Sequence, residues 1–199
     1  MVYIDGFNLY HGLHEGRNRT HLWLDLVKLG ASLRSRQRLV GVRYFTAPVL
    51  NEPAAQARQA HYIDALRSLY PAQLKVVEGR YQAKPKTCRQ CGHTYTHYEE
   101  KETDVNLATS IVVDASRNAS DTALIISGDS DVAPAVRAAS ELNPKLFMVA
   151  AFPPKRMSQE LKSLMPHSFA IGQQKIRDAQ LPDEFVAGGR TFRRPDKWQ

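Results

Sequence analysis

Cysteine is nearly absent: the 199-residue chain has two, Cys88 and Cys91. No disulfide framework holds such a protein together, and at this length a single core buries about 70% of the unfolded surface without staples. Long apolar runs are missing too. Leu124–Ile126 and Leu146–Phe152 fall far short of the roughly 20 residues a membrane-spanning helix needs. The first residues read as a strand, without the basic region, apolar stretch and cleavage site of a secretory leader. The expectation is a cytoplasmic protein with no membrane partner. The common phosphate motifs are also lacking. There is no G-x-x-x-x-G-K-[ST] and no G-x-G-x-x-G after a strand, which counts against an NTPase or a dinucleotide enzyme. No G-x-S-x-G nucleophile elbow is present either.

What is present describes a globular domain. Hydrophobic residues make up 43% and charged residues 24%, so disorder is excluded as the main state. Bases outnumber acids 27 to 20, a net charge of +7, which favours a polyanionic partner. Strand and helix patterns alternate. Strands are expected at Val2–Asp5, Leu39–Thr46, Leu74–Tyr81, Thr122–Ser127 and Leu146–Phe152. Between and after them lie helical stripes at Leu22–Leu33, Pro53–Leu69, Thr103–Arg117, Ala133–Leu142 and Ser158–Met165. Such alternation implies a three-layer α/β/α sandwich on a mainly parallel sheet. It fades after Gly172. Residues 173–199 are expected to form a basic C-terminal tail, flexible or loosely packed over residues 186–199, which carry Arg190, Arg193, Arg194 and Lys197.

In open α/β sheets ligands bind beyond the carboxyl ends of the strands. Asp5 ends the first strand, and Ser127-Gly128-Asp129-Ser130-Asp131 follows the most apolar one. Capping of the next helix explains one of those acids but not Asp5. Asp104 opens a helix, where the dipole favours a carboxylate, and helical steps from it give Ala108, Ile111 and Ala115. Thr103 is an alternative cap there. Together Asp5, Asp104, Asp129 and Asp131 point to one acidic cleft in a basic protein. Mg²⁺ or Mn²⁺ suits such a cleft: hard cations take carboxylate oxygens and keep positions for water and phosphate.

Three blocks resemble the NYN domain family, a branch of the PIN-like metal-dependent ribonucleases. They are Tyr3-Ile4-Asp5-Gly6-Phe7-Asn8, Lys101-Glu102-Thr103-Asp104-Val105 and Ser127-Gly128-Asp129-Ser130-Asp131. The resemblance spans residues 1–172. It implies a PIN-like fold and an RNA-cleaving hydrolase. It makes Asp5, Asp104, Asp129 and Asp131 metal-binding acids and gives Asn8 a role in placing metal-bound water or the scissile phosphate. Ser127 and Lys101 become contacts to phosphate oxygens.

Between the third strand and the Asp104 helix, residues 82–98 read as a polar loop. Cys88-Arg89-Gln90-Cys91-Gly92-His93 and His97 offer four zinc-type ligands within ten residues, or else a reduced thiol pair with two solvent-facing histidines. Lys84, Lys86 and Arg89, interleaved with Tyr81, Tyr95 and Tyr98, suggest an RNA-facing surface. The leading expectation is therefore a Mg²⁺- or Mn²⁺-dependent ribonuclease; the alternative is a catalytically inactive RNA-binding module of the same fold. A phosphatase with a nucleophilic aspartate would need a second Asp two positions after Asp5, where Phe7 stands. The identity of the RNA, internal or terminal cleavage, a toxin role, a homodimer and a protein partner are left open by the residues.

Overall fold

The computed structural model describes residues 1–16 and 21–198. In chain order it has β1 (Val2–Asp5), α1 (Gly6–Gly16), α2 (Leu26–Leu33), β2 (Val42–Thr46), α3 (Pro53–Leu69) and β3 (Leu74–Glu78). Then come β4 (Arg80–Thr87), β5 (Thr94–Lys101), α4 (Thr103–Ser116), β6 (Thr122–Ile126), α5 (Ala133–Leu142) and β7 (Phe147–Phe152). The chain closes with α6 (Gln159–Leu164), β8 (Phe169–Ala170), α7 (Gln173–Asp178), β9 (Glu184–Ala187) and β10 (Arg190–Arg193). No described helix is long and apolar enough to cross a membrane.

Six strands form one parallel sheet in the order β3-β2-β1-β6-β7-β8. The twofold alternation of side chains along each strand splits the core in two. Val2, Ile4, Val42, Tyr44, Leu124, Ile126, Val149 and Ala151 face one layer, which contains Leu9 of α1, Leu29 of α2, Leu66 of α3 and Ile176 of α7. Tyr3, Phe45, Ala123, Ile125, Ala150 and Phe152 face the other, against Leu107 and Ile111 of α4, Val136 of α5 and Leu161 of α6. The sandwich expected from the sequence is thus present. Strand order runs outward in both directions from β1 and β6, so the switch point lies between their carboxyl ends, where this topology opens a crevice.

Several local expectations are corrected. The helix expected from Leu22 starts at Leu26, because the Asp25 carboxylate accepts from the Lys28 amide (2.8 Å) and caps it. Helix α1 follows β1 directly and buries Leu9 and Leu13; Gly6, Gly12 and Gly16 dilute its helical signal. The third strand stops at Glu78. A Cβ at Gly79 would collide with the Thr103 hydroxyl and lie 2.7 Å from the Lys101 carbonyl oxygen, so only glycine lets the chain pass the start of α4. Beyond it, residues 82–98 are not a loop. They belong to an antiparallel hairpin of β4 and β5, closed by residues 88–93.

Nor is the end of the chain loosely packed. Antiparallel β9 and β10 dock Phe192, 1% exposed, into the core beside Phe185, His61 and Trp23. Trp198 closes the cluster against Trp23 and Tyr62. Gln199 lies outside the described residues. Removing a buried Phe ring costs about 3–5 kcal/mol. Phe192→Ala is therefore expected to lower stability by that amount in urea unfolding. A loss below about 1 kcal/mol would mean that the hairpin does not hold the core.

Candidate active site

The centre of the site is a hydrogen-bond relay across the switch point. Asp5, 4% exposed at the end of β1, accepts from the Asn8 amide through Oδ1 and from the Ser127 hydroxyl through Oδ2, both at 2.9 Å. Ser127, fully buried after β6, also accepts from the Asp129 amide at 3.0 Å. The Asn8 side-chain oxygen accepts from the Gly128 amide at 2.8 Å. Gly128 is required there, since a Cβ would stand 2.7 Å from the Arg156 carbonyl carbon. The strand end, the α1 start and the Ser127–Asp131 turn are thereby fixed to one another.

Burial raises the pKa of Asp5; hydrogen bonds from the Asn8 amide, the Ser127 hydroxyl and the Phe7 amide counter the rise and the Asp129 charge adds to it. Asp104 is raised to about 6, first by partial desolvation and then by the charges of Asp5, Asp129, Glu100 and Asp131. The four acids expected from the sequence thus share one electrostatic environment. Their local roles differ from the expectation. Asp104 is exposed, and the buried stripe of α4 runs through Thr103, Leu107, Ile111 and Ala115, while Val105 is 65% exposed. Thr103 does not cap α4 either; Glu102 occupies that position, and the Thr103 hydroxyl donates to Glu100. Asp129 caps the short turn after β6, accepting from the Asp131 amide at 3.0 Å, and Asp131 is exposed.

Among the described residues, no three His, Cys, Asp or Glu side chains form a ready-made metal cage. Neither the four acids nor the set Cys88, Cys91, His93 and His97 stands gathered in that way. The two thiols lie at the hairpin turn, whereas His97 pairs across from Lys84, well down the strands. The acidic cleft still matches a hard cation in its donors. Mg²⁺ commonly engages one or two carboxylates and keeps its waters, so a cage of three is not required. A positive charge would also offset the neighbouring carboxylate charges that, after desolvation, raise Asp104.

On the hairpin, the cross-strand pairs Arg80–Lys101, Gln82–Glu99, Lys84–His97 and Lys86–Tyr95 put these side chains on one face. Glu99, not anticipated from the sequence, gathers Lys84 (2.7 Å), Lys101 (3.2 Å) and Lys86 (3.8 Å). Hydrogen bonds from Lys84 and Lys101 hold its carboxyl at about 2. Arg89 is exposed at the turn. The alternation of Thr94-Tyr95-Thr96-His97-Tyr98 with the turn glycine Gly92 is the signal that would have revealed the hairpin.

The family model described as NYN domain matches residues 1–171. The chain belongs to the NYN domain family. That family is nuclease-like and typically metal-dependent. A curated relative, 6-hydroxy-3-succinoylpyridine 3-monooxygenase HspA of Pseudomonas putida (strain DSM 28022 / S16), is 29% identical over 171 residues. The match covers 68% of this chain and 54% of that protein, so this chain aligns with about half of the relative's length. Among solved structures, a protein of unknown function from Vibrio parahaemolyticus RIMD 2210633, VPA0982, has the same fold with a TM-score of 0.53 and 20% identity. The match covers 86% of this chain and 91% of that one.

The coupling among these carboxylates makes a titration test possible. Asp129→Asn removes a charge that raises Asp104, so Asp104 should titrate below about 6 in side-chain carboxyl NMR of metal-free protein. A raised folded-state pKa destabilises the fold at pH values where the carboxylate is ionised, and the penalty fades as pH falls through the folded value. Asp104→Asn should therefore raise the melting temperature slightly at pH 7.5 and lose that advantage below pH 6. An unchanged Asp104 titration in Asp129→Asn would show that the two acids do not share a cleft.

Proposed function

We propose that this NYN domain is a Mg²⁺- or Mn²⁺-dependent ribonuclease that hydrolyses phosphodiester bonds at the cleft of Asp5, Asp104, Asp129 and Asp131. The observation that carries this reading is the hydrogen-bond relay that joins Asp5 to the Asp129 turn through Ser127 at the switch point of a basic NYN domain, with Asp104 raised by desolvation and then by the charges of Asp5, Asp129 and Asp131. Asp5, Asp104 and Asp129 would hold the cation, with Asp131 at the outer edge. When bound, such an ion supplies a lowered pKa for attacking water and charge stabilisation on the phosphorane oxygens.

The chain's own residues do the rest. Ser127 and the Asn8 amide hold Asp5 rigidly with an oxygen on each donor. Because the Gly128 N–H fixes the Asn8 oxygen, the Asn8 NH₂ group is turned away from Gly128 and is available to donate to a phosphate oxygen. Lys84, Lys86 and Lys101 line the hairpin face that leads into α4 and Asp104, and with Arg89 they would follow the RNA backbone. Glu99 keeps three of these ammonium groups together at the cost of one positive charge. Ser127 is committed to Asp5 and Asp129, so its role is positioning.

A cavity of about 320 Å³ supports a second reading. It abuts the site at Gly6 and Thr46 and is walled by Tyr44, Tyr62 and Trp198, with Arg58 and Lys197 among its lining residues. Its aromatic walls and cations suit a small aromatic anion, the chemistry that the name of the Pseudomonas relative assigns to that protein. Binding of 6-hydroxy-3-succinoylpyridine, lost in Trp198→Ala, without RNA cleavage would favour this reading.

Asp5→Asn and Asp129→Asn should each lower the rate of RNA cleavage in Mn²⁺ by at least about 100-fold, the scale of losing an electrostatic stabiliser, with melting near the parent's. Cation-independent binding of RNA with no cleavage would instead establish an inactive RNA-binding module. Lys84→Ala/Lys86→Ala/Arg89→Ala should weaken RNA binding and reduce the log–log salt slope by about 2–3, at roughly 0.7–0.9 for each phosphate no longer neutralised. An unchanged slope would move the RNA path away from the hairpin.

A further inference from the structure

The hairpin turn carries chemistry that the proposed nuclease reaction does not use. Cys88 and Cys91 are free, partly exposed and exposed respectively, at the end of a two-stranded sheet whose strands pair with no other strand among the described residues. The turn is built around them. The Cys88 amide donates to the His93 carbonyl at 2.8 Å, and the Gly92 amide donates back to the Cys88 carbonyl at 2.9 Å. Gly92 takes φ +71°, with nothing within 4 Å of where its Cβ would be. This fold-back places Cys88 and Cys91 in one tight turn, and hydrogen bonding from the Cys91 and Gln90 backbone and from the Cys91 side chain lowers the pKa of the Cys88 thiol. Two thiolates so presented are half of a tetrahedral zinc site.

The other half is missing from the same chain among the described residues. No third His, Cys, Asp or Glu joins the pair. Cys88 and Cys91 are the only cysteines in the sequence. His97 is held opposite Lys84, three residue pairs down the ladder from the Thr87–Thr94 pair that borders the turn. A second copy of this chain supplies what is lacking, because a twofold axis through the ion turns one Cys pair into four sulfurs.

We propose that zinc bridges two copies of this protein through Cys88 and Cys91 of each, forming a four-thiolate site between hairpin tips. Charge supports this occupant. Residues 84–93 hold Lys84, Lys86 and Arg89 and no acid, and Glu99 offsets only one of these charges, so two bare tips repel. Zn²⁺ with four thiolates carries a net double negative charge and offsets those bases. Gly92 and the exposed Cys91 leave the tip open to the approach of its mate. Pairing there is independent of the acidic cleft and of the ribonuclease reading. It would also set two basic hairpin faces side by side.

The test is zinc content and mass in solution on the full chain, kept reduced and purified without chelator. The expected result is half an equivalent of zinc per chain and a dimer by light scattering. A chelator should convert it to monomer, and added Zn²⁺ should restore the dimer. Cys88→Ser should be a zinc-free monomer with unchanged melting, since the residue lies outside both cores. His93→Ala and His97→Ala should stay dimeric with zinc. One equivalent on a monomer, zinc lost in either histidine variant, or a chain that takes up no zinc on titration would each overturn the proposal.

Discussion

The site depends on one buried carboxylate and how it is satisfied. Asp5 sits in the middle of the sheet, almost without solvent, and an ionised group there is costly unless it is hydrogen-bonded. Its partners come from two places: the Asn8 amide at the start of α1 and the Ser127 hydroxyl after β6. The same Asn8 reaches across to Gly128, so each side of the switch point grips the other. Breaking that relay would free both the first acid and the turn that carries Asp129. Geometry and charge are thus set by the same contacts. The relay holds the acids close enough to repel, and the repulsion makes the cleft a favourable place for a cation.

Charge is arranged in shells around this centre. Acids occupy the sheet's carboxyl edge, and bases occupy the hairpin that enters α4. Arg43, one of a group of arginines near the second strand, serves structure instead: its guanidinium meets the buried Asp114 at 2.6 Å, and Asp114 also accepts from the Tyr3 hydroxyl at 2.9 Å. Positive charge in the sequence therefore has two uses that burial of the partner separates. Asp114 is buried and its pair joins α4 to the sheet, whereas Glu99 is partly exposed and only gathers lysines.

The parallel sheet and its two cores were legible in the sequence because apolar runs such as Leu124–Ile126 need burial on both faces, whatever their neighbours. Asp5 and Asp129 were legible for the same reason, since they end those runs. Asp104 was legible as an acid at the start of α4, but the face it occupies was not: Thr103 is buried and bonded to Glu100, and the buried stripe of α4 is shifted by one residue. The β4–β5 hairpin was hidden by composition, because both its faces are largely polar and exposed and no core pattern marks it. The C-terminal hairpin was hidden by arginine and glycine, although Phe185, Phe192 and Trp198 are its anchors. The zinc-type ligands read as one set because they are close in sequence; an extended strand carries His97 away from the turn.

The central claim is that the carboxylates of the switch point hold a divalent cation. Paramagnetic Mn²⁺ titrated into the metal-free protein, followed by amide NMR, locates the ion directly. Broadening that begins at Asp5, Gly128, Asp129 and Asp104 is the predicted result. Broadening that spares those four and begins elsewhere, or no site-specific broadening at millimolar Mn²⁺, would contradict it.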